Sequence, residues 1–407
     1  MDKLMLLFCL VYFTTLCTTP LLTSSLTLES DIQVLRVVKR SIDPNAIPPS
    51  SYLGSWDFKL DPCETTGGQF LGILCSFPLD KSPSRITAID LDGAGYQGFL
   101  TSAISNLTEL TSINLRKNNF RGPIPKSISN LKKLTRLSLS NNFFTGAVPL
   151  GLNTLRELEY LDLSFNKLTG TIHSSIGGLR SLTFLSLSNN GFSGRIPDLS
   201  GLWQLKTLDI SRNQISGTLP NFPVSLRTLV LSQNLFIGHL TPLAKLSNLK
   251  VLDVSGNRLS GAITKTFFTL PKVTELNLSN NHFTTLEIIR SDGKEELEVL
   301  DVKGNQLRGH LPVNLVTLQN LTTINLSYNQ FFGRIPDEYG ARVGGWSALY
   351  LDHNFLLGKL PAQFLQGAQT IRGSLSNNCL RCPDNIPLCE GGQRKVEECI
   401  GRPKTSG

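Results

Sequence analysis

Apolar residues recur along this chain in a fixed frame, with two leucine-type positions around one polar residue, then two further residues and an asparagine. The frame Leu-x-Leu-x-x-Asn places its asparagine at Asn118, Asn142, Asn166, Asn190, Asn213, Asn234, Asn257, Asn281, Asn305, Asn329 and Asn354. Ala94 holds the equivalent place in a first, degenerate copy. Twelve repeats result, with successive spacings of 24, 24, 24, 24, 23, 21, 23, 24, 24, 24 and 25 residues. Alternation over a few residues is the period of a strand, so Leu137 and Leu139 face one side, and Ser138 and Ser140 the other. The expectation is a dry interior lined by leucines and a concave surface on which the serines meet solvent. Short strands from successive coils then lie side by side as a parallel sheet, about 4.8 Å apart and about 50 Å long over twelve coils. The asparagine after each strand is expected to turn inward. There its amide satisfies backbone groups that the turn leaves unpaired, and the copies form a ladder.

The second half of each repeat is an apolar residue, a glycine, another apolar residue and often a proline. Phe120-Arg121-Gly122-Pro123-Ile124-Pro125 and Phe192-Ser193-Gly194-Arg195-Ile196-Pro197 are examples. The glycine permits a bend that other residues resist. The proline limits helix, so the convex side is predicted to carry short 3₁₀ or irregular turns. Eleven of the twelve repeats keep the glycine. The ninth has Thr285 there, followed by the charged run from Glu287 to Glu298, and its convex side is expected to be atypical.

The full pattern, Leu-x-x-Leu-x-Leu-x-x-Asn-x-Leu-x-Gly-x-Ile-Pro, resembles the plant-type extracellular leucine-rich repeats over residues 85–378. That family includes receptor kinase ectodomains, receptor-like proteins and polygalacturonase-inhibiting proteins. The resemblance implies an α/β repeat solenoid, a right-handed superhelix with a parallel concave sheet and capped ends, that binds partners on its concave and lateral faces. Residues 26–84 resemble the N-terminal cap. Asp31, Val34, Leu35, Val38 and Lys39 fit a short amphipathic helix, and Trp56, Pro62-Cys63 and Gly72-Ile73-Leu74-Cys75 follow. The family pairs such cysteines, which implies Cys63–Cys75. Residues 379–407 resemble the C-terminal cap and tail. Its four cysteines, Cys379, Cys382, Cys389 and Cys399, allow three connectivities, of which Cys382–Cys389 with Cys379–Cys399 is preferred.

Composition adds the compartment. Leu4 to Leu16 is mostly apolar and gives way to small and polar residues, so residues 1–25 are expected to be a secretory signal peptide. Elsewhere no run reaches the ~18 apolar residues of a membrane span. The expected location is outside the cell or in the wall, or peripheral at the plasma membrane through a partner. The net charge is +8, and the stretch from Leu110 to Arg156 holds eight basic residues and no acid. Such a field steers anionic partners. An extracellular protein or peptide, an acidic wall polysaccharide or a transmembrane receptor kinase fits, and nucleic acid does not. The five histidines are scattered over different coils, and no nucleophile, phosphate-loop or zinc spacing accompanies them. The expectation is a non-enzymatic protein without cofactor or metal.

Recognition must then lie where strand positions depart from repeat grammar. Tyr160 and Phe184 share a register on neighbouring strands, Phe165 follows the first, and Arg116 and Arg136 lie on the strands just before. These five form the candidate ligand-binding patch; the alternative is that the aromatics only stack on each other. Four glycosylation sequons begin at Asn106, Asn277, Asn320 and Asn325. Asn277 and Asn325 lie between core leucines, and sugars there would obstruct the later coils of the concave face.

Overall fold

Most coils contribute a three-residue strand whose middle residue is buried, such as Tyr160–Asp162 around Leu161 or Phe184–Ser186 around Leu185. So short a segment holds its conformation only because a neighbour pairs with it on each side. The computed structural model describes residues 27–64, 68–80, 82–290, 293–367, 370–383 and 385–400. The expected signal peptide and residues 401–407 lie outside them. Among the described residues the inner sheet has 14 strands. The first, Ile73–Ser76, runs antiparallel to Arg85–Asp90 and closes the N-terminal edge. The remaining strands are parallel and follow chain order to Arg372–Ser374.

The inward leucines form one continuous core along the stack, with Leu137, Leu139, Leu161 and Leu163 fully buried. The ladder amides tie each coil to the one before. Asn142 Nδ2 donates to Leu115 O of the preceding coil (2.8 Å) and to Leu139 O and Ser140 O of its own (3.1 and 3.2 Å), while its Oδ1 accepts from Phe120 N at 3.0 Å. All four contacts recur around Asn234. An amide is the one small side chain that donates twice and accepts twice, which a turn with spare N–H and C=O groups needs.

The structure adds a thirteenth coil, and with it a twelfth asparagine rung, that the twelve-repeat frame lacks. Asn378 makes the same contacts, donating to Leu351 O, Leu375 O and Ser376 O and accepting from Leu356 N. Its coil escapes the leucine frame because Gly373 stands in the strand where leucine is usual. The reason is local: a Cβ there would lie 1.8 Å from Leu349 O.

The convex and lateral sides are more ordered than 3₁₀ turns alone. Segments just after the ladder asparagines form a second parallel sheet of nine strands and a third of four. Most of their glycines have positive φ, and at several of them a Cβ would meet the preceding coil. At Gly261 (φ 88°) a Cβ would meet His239 Nδ1 at 2.4 Å. The outer sheet breaks where Thr285 replaces the glycine. The strand His282–Leu286 pairs back to Arg258–Ile263 with a register shift, and the next outer strand, Arg308–Gly309, belongs to the four-stranded sheet. Short 3₁₀ turns such as Lys126–Asn130 and Leu150–Thr154 complete many of the coils.

At the N-terminal end the helix Glu29–Arg40 covers the first coil with Ile32, Val34, Leu35 and Val38. Its buried Asp31 accepts from Arg85 Nε and Nη2 (2.9 and 3.1 Å) and from Ile86 N (3.1 Å). Cys63 is bonded to Cys75 in this cap, and Cys379–Cys399 and Cys382–Cys389 close the far end.

Candidate binding face

Register places Arg136, Tyr160 and Phe184 abreast on three adjacent inner strands. Their side chains form one stack. The Arg136 guanidinium sits 3.7 Å from the Tyr160 ring centroid, and the Tyr160 and Phe184 rings are parallel at 4.4 Å. The stacking alternative therefore describes these two rings, and the arginine extends the stack. Burial pushes the Tyr160 hydroxyl above its usual pKa, with the Asp162 charge adding and Arg136 opposing. The stack presents a rigid cationic and aromatic surface whose order does not depend on a ligand.

Arg116 lies beyond its strand, Ser112–Asn114, so Ser112 and not Arg116 stands abreast of Arg136. The Arg116 charge also opposes the rise at Tyr160. The nearest acid to Arg116 is Asp92 on the preceding coil, at 3.5 Å and without hydrogen-bond geometry. Lys133 likewise pairs with Glu109 at 2.5 Å. A run without acids along the chain is thus partly neutralised by acids one coil away. Phe165 sits on the rim, 50% exposed, in a left-handed backbone conformation (φ 52°). Nothing stacks on it among the described residues.

The concave serines differ from expectation. Ser138, Ser140, Ser186 and Ser188 are buried. They are short, and the larger side chains of adjacent strands rise above them. Asp162 holds the Ser164 hydroxyl at 2.6 Å in the same layer.

A second aromatic cluster escaped sequence reading. Tyr328 and His353 stack at 3.9 Å, Lys303 lies 5.1 Å from the Tyr328 ring, and His353 Nδ1 is 2.8 Å from Asp352 Oδ2. Its signal was positional, since Tyr328 and His353 occupy in their coils the place Phe165 holds in its own. Between the two clusters the inner face carries Asp209, Asp253 and Asp301. Burial raises the Asp301 pKa against hydrogen bonds from Lys303 N and Asn325, with the Asp253 charge adding a smaller push. No group of three or more histidine, cysteine, aspartate or glutamate side chains among the described residues is placed to hold a metal.

Of the sequon asparagines, Asn106 is exposed at the end of the 3₁₀ turn Ser102–Asn106, and Asn320 is exposed in a turn. Asn277 and Asn325 are half-buried on the inner sheet, and each accepts from the serine two residues on. Asn325 Nδ2 also donates to Asp301 Oδ2 at 3.3 Å.

Stacked coils, asparagine rungs and glycine-bearing outer strands coincide with what comparison finds. Leucine-rich-repeat families match residues 109–131, 132–192, 180–223, 224–283, 247–307 and 320–341. The chain is a leucine-rich-repeat protein. Among solved structures, the PEPR1–AtPEP1 structure matches 87% of this leucine-rich-repeat chain at 25% identity with a TM-score of 0.60. A TDR receptor matches 77% at 25% identity and 0.52. The chain spans 59% and 65% of their respective lengths, less than two thirds of each. A plant ice-binding protein matches 90% of this chain and 99% of its own at 26% identity and 0.57. Comparison with curated proteins returns no match. No helix among the described residues is long and apolar enough to cross a membrane.

Proposed function

We propose that this leucine-rich-repeat protein is an extracellular recognition protein of plant signalling or defence that binds a protein or peptide on the inner face and rim of its N-terminal coils. The observation that carries this reading is the Arg136–Tyr160–Phe184 stack beside the half-exposed Phe165. Arginine and aromatic side chains fixed in place before binding lose little freedom on contact, and they dominate interface energetics. Similarity to the PEPR1–AtPEP1 structure and to a TDR receptor supports a ligand-binding ectodomain. Sugars on Asn277 and Asn325 would cover the middle and later inner coils and leave the N-terminal ones open. Mass mapping after enzymatic deglycosylation checks this.

Two narrower readings attach to the same face. As a kinase-lacking component of a cell-surface receptor complex, the protein would co-purify with a transmembrane kinase. As an inhibitor of a wall-degrading enzyme, it would lower that enzyme's turnover in a direct assay. The ice-binding activity of the similar plant protein is not carried over. The outer-sheet register sets Thr145 against Lys167 and Thr169 against Gly191, so the exposed threonines make no continuous row.

The test is proximity labelling in living tissue with the wild-type protein and with an Arg116→Glu, Arg136→Glu double variant. The reading expects one extracellular partner whose labelling the reversal removes. Identical labelling by both proteins would remove the inner face from the account.

A further inference from the structure

A groove opens on the outer side of the last coils, away from the inner face. It has about 1410 Å³ of open space and is lined by residues of the final outer strands, Phe355–Lys359 and Cys379–Arg381, and of the C-terminal cap around the 3₁₀ turn Val396–Glu398. Part of the lining is apolar. Leu357 and Cys379 stand abreast in the strand register and border the groove. Beneath them Phe355, Cys379 and Cys399 form a small apolar cluster separate from the main core. The cap adds two aliphatic side chains. Ile400 N donates to Val396 O at 3.2 Å, so the two side chains lie one turn apart on one face. Both line the groove, and 47% of Val396 and 65% of Ile400 is exposed.

The polar part of the lining is cationic. Arg334, Lys359 and Arg381 come from three successive coils, and all three are exposed. Lys359 and Arg381 pair in register. The Arg334 arm lies against the coil that carries Lys359: a Cβ on Gly358 would meet Arg334 Cγ at 3.3 Å. No ion pair neutralises any of these cations among the described residues. Asp337 is the acid in the lining, and Glu397 and Glu398 of the cap turn are not part of it.

We propose that this groove docks an acidic segment of a second protein, an extended stretch in which carboxylates alternate with aliphatic side chains. Three cations against one acid select negative charge. Charge alone would admit any polyanion. A sugar polymer, however, would satisfy the cations and leave Val396 and Ile400 in water, and a flat bilayer cannot enter a concavity. In an extended peptide successive side chains point to opposite sides, so one short segment can present carboxylates to Arg334, Lys359 and Arg381 and aliphatic groups to Leu357, Val396 and Ile400. The groove is separate from the inner face, and its occupant does not depend on the function proposed there.

The test follows the fluorescence anisotropy of a labelled synthetic peptide of alternating glutamate and leucine on titration with the full-length protein. Peptides of alternating glutamate and serine and of alternating lysine and leucine, and an oligogalacturonate, are the other arms. The glutamate–leucine peptide is expected to bind, more weakly as added salt screens the contact. Serine in place of leucine costs at least about tenfold, from the apolar area no longer buried. Arg334→Glu with Lys359→Glu and Arg381→Glu costs at least about tenfold and most of the salt dependence. Val396→Ser with Ile400→Ser costs about fivefold and leaves the salt dependence in place. All five side chains are exposed, so melting temperatures stay at the wild-type value and the losses report on binding. Arg116→Glu with Arg136→Glu leaves peptide binding intact even if it abolishes the inner-face partner. The proposal is overturned if the glutamate–leucine peptide does not bind, if the serine peptide or the oligogalacturonate binds equally well, or if the lysine peptide binds more tightly. It is equally overturned if the triple variant binds as wild type, if the inner-face reversal is the change that removes binding, or if the wild type sediments as a dimer that the triple variant loses, which would make a second copy the occupant.

Discussion

Asn142 and Arg136 lie six residues apart in one coil and do opposite things. Asn142 is buried and makes four hydrogen bonds that recur, with near-identical partners, in coil after coil. Arg136 stands at the surface in a column whose next members are Tyr160, Phe184, Thr207 and Thr228. From Asn118 to Asn378 the inner ladder repeats because each of those coils leaves the same backbone groups unpaired. The face is free to vary because nothing in the stacking of coils depends on it. A solenoid thus separates stability from recognition within a few residues, and substitutions ought to sort accordingly.

The largest expected effect is in the core. Leu139→Ala should cost about 3–5 kcal/mol in chemical denaturation, since fully buried leucines leave cavities that the stack only partly fills. Asn142→Ala should follow at about 2–3 kcal/mol, from the stranded Phe120 N–H and the carbonyls it no longer serves. In a stacked array the damage spreads mainly to neighbouring coils. Hydrogen exchange should rise at Phe120 and Phe144 while Phe283 stays protected. Arg136→Ala should cost less than about 1 kcal/mol, the scale of an exposed cation–π contact, and should still weaken partner binding. A large stability loss there would blur the division between ladder and face.

The smallest effect carries a sign that depends on pH. The folded state holds the Asp301 carboxyl above its ordinary pKa, chiefly through burial. Its charged form is thus less favourable folded than unfolded. Stability declines as pH rises from the ordinary carboxylate value through the raised one. Asp301→Asn should therefore raise the melting temperature slightly at pH 7, with the gap closing below pH 4. A gap that widened in acid would contradict the cause assigned.

The stacked coils were legible in the chain because burial imposes one answer at each inward position. Where that answer changed, legibility failed. Gly373 removed the leucine that marks the thirteenth coil, although Asn378 still closes its turn. Concave serines looked exposed by alternation, yet their burial depends on how tall the neighbouring side chains are, and alternation carries no such information. Thr285 announced an irregular convex side, and the break in the outer sheet falls there. Residues of the face were visible only as departures from the repeat. Which of them meet depends on contacts across about 24 residues, as with Arg116 and Asp92.

Position-specific crosslinking tests the division most directly. A photoreactive phenylalanine analogue is placed at Phe165 on the rim or, as a control, at the exposed convex Lys126, in protein expressed in its own tissue. The account predicts that position 165 captures a discrete extracellular partner, that position 126 does not, and that both variants melt with the wild type. Capture from the convex position alone would contradict it.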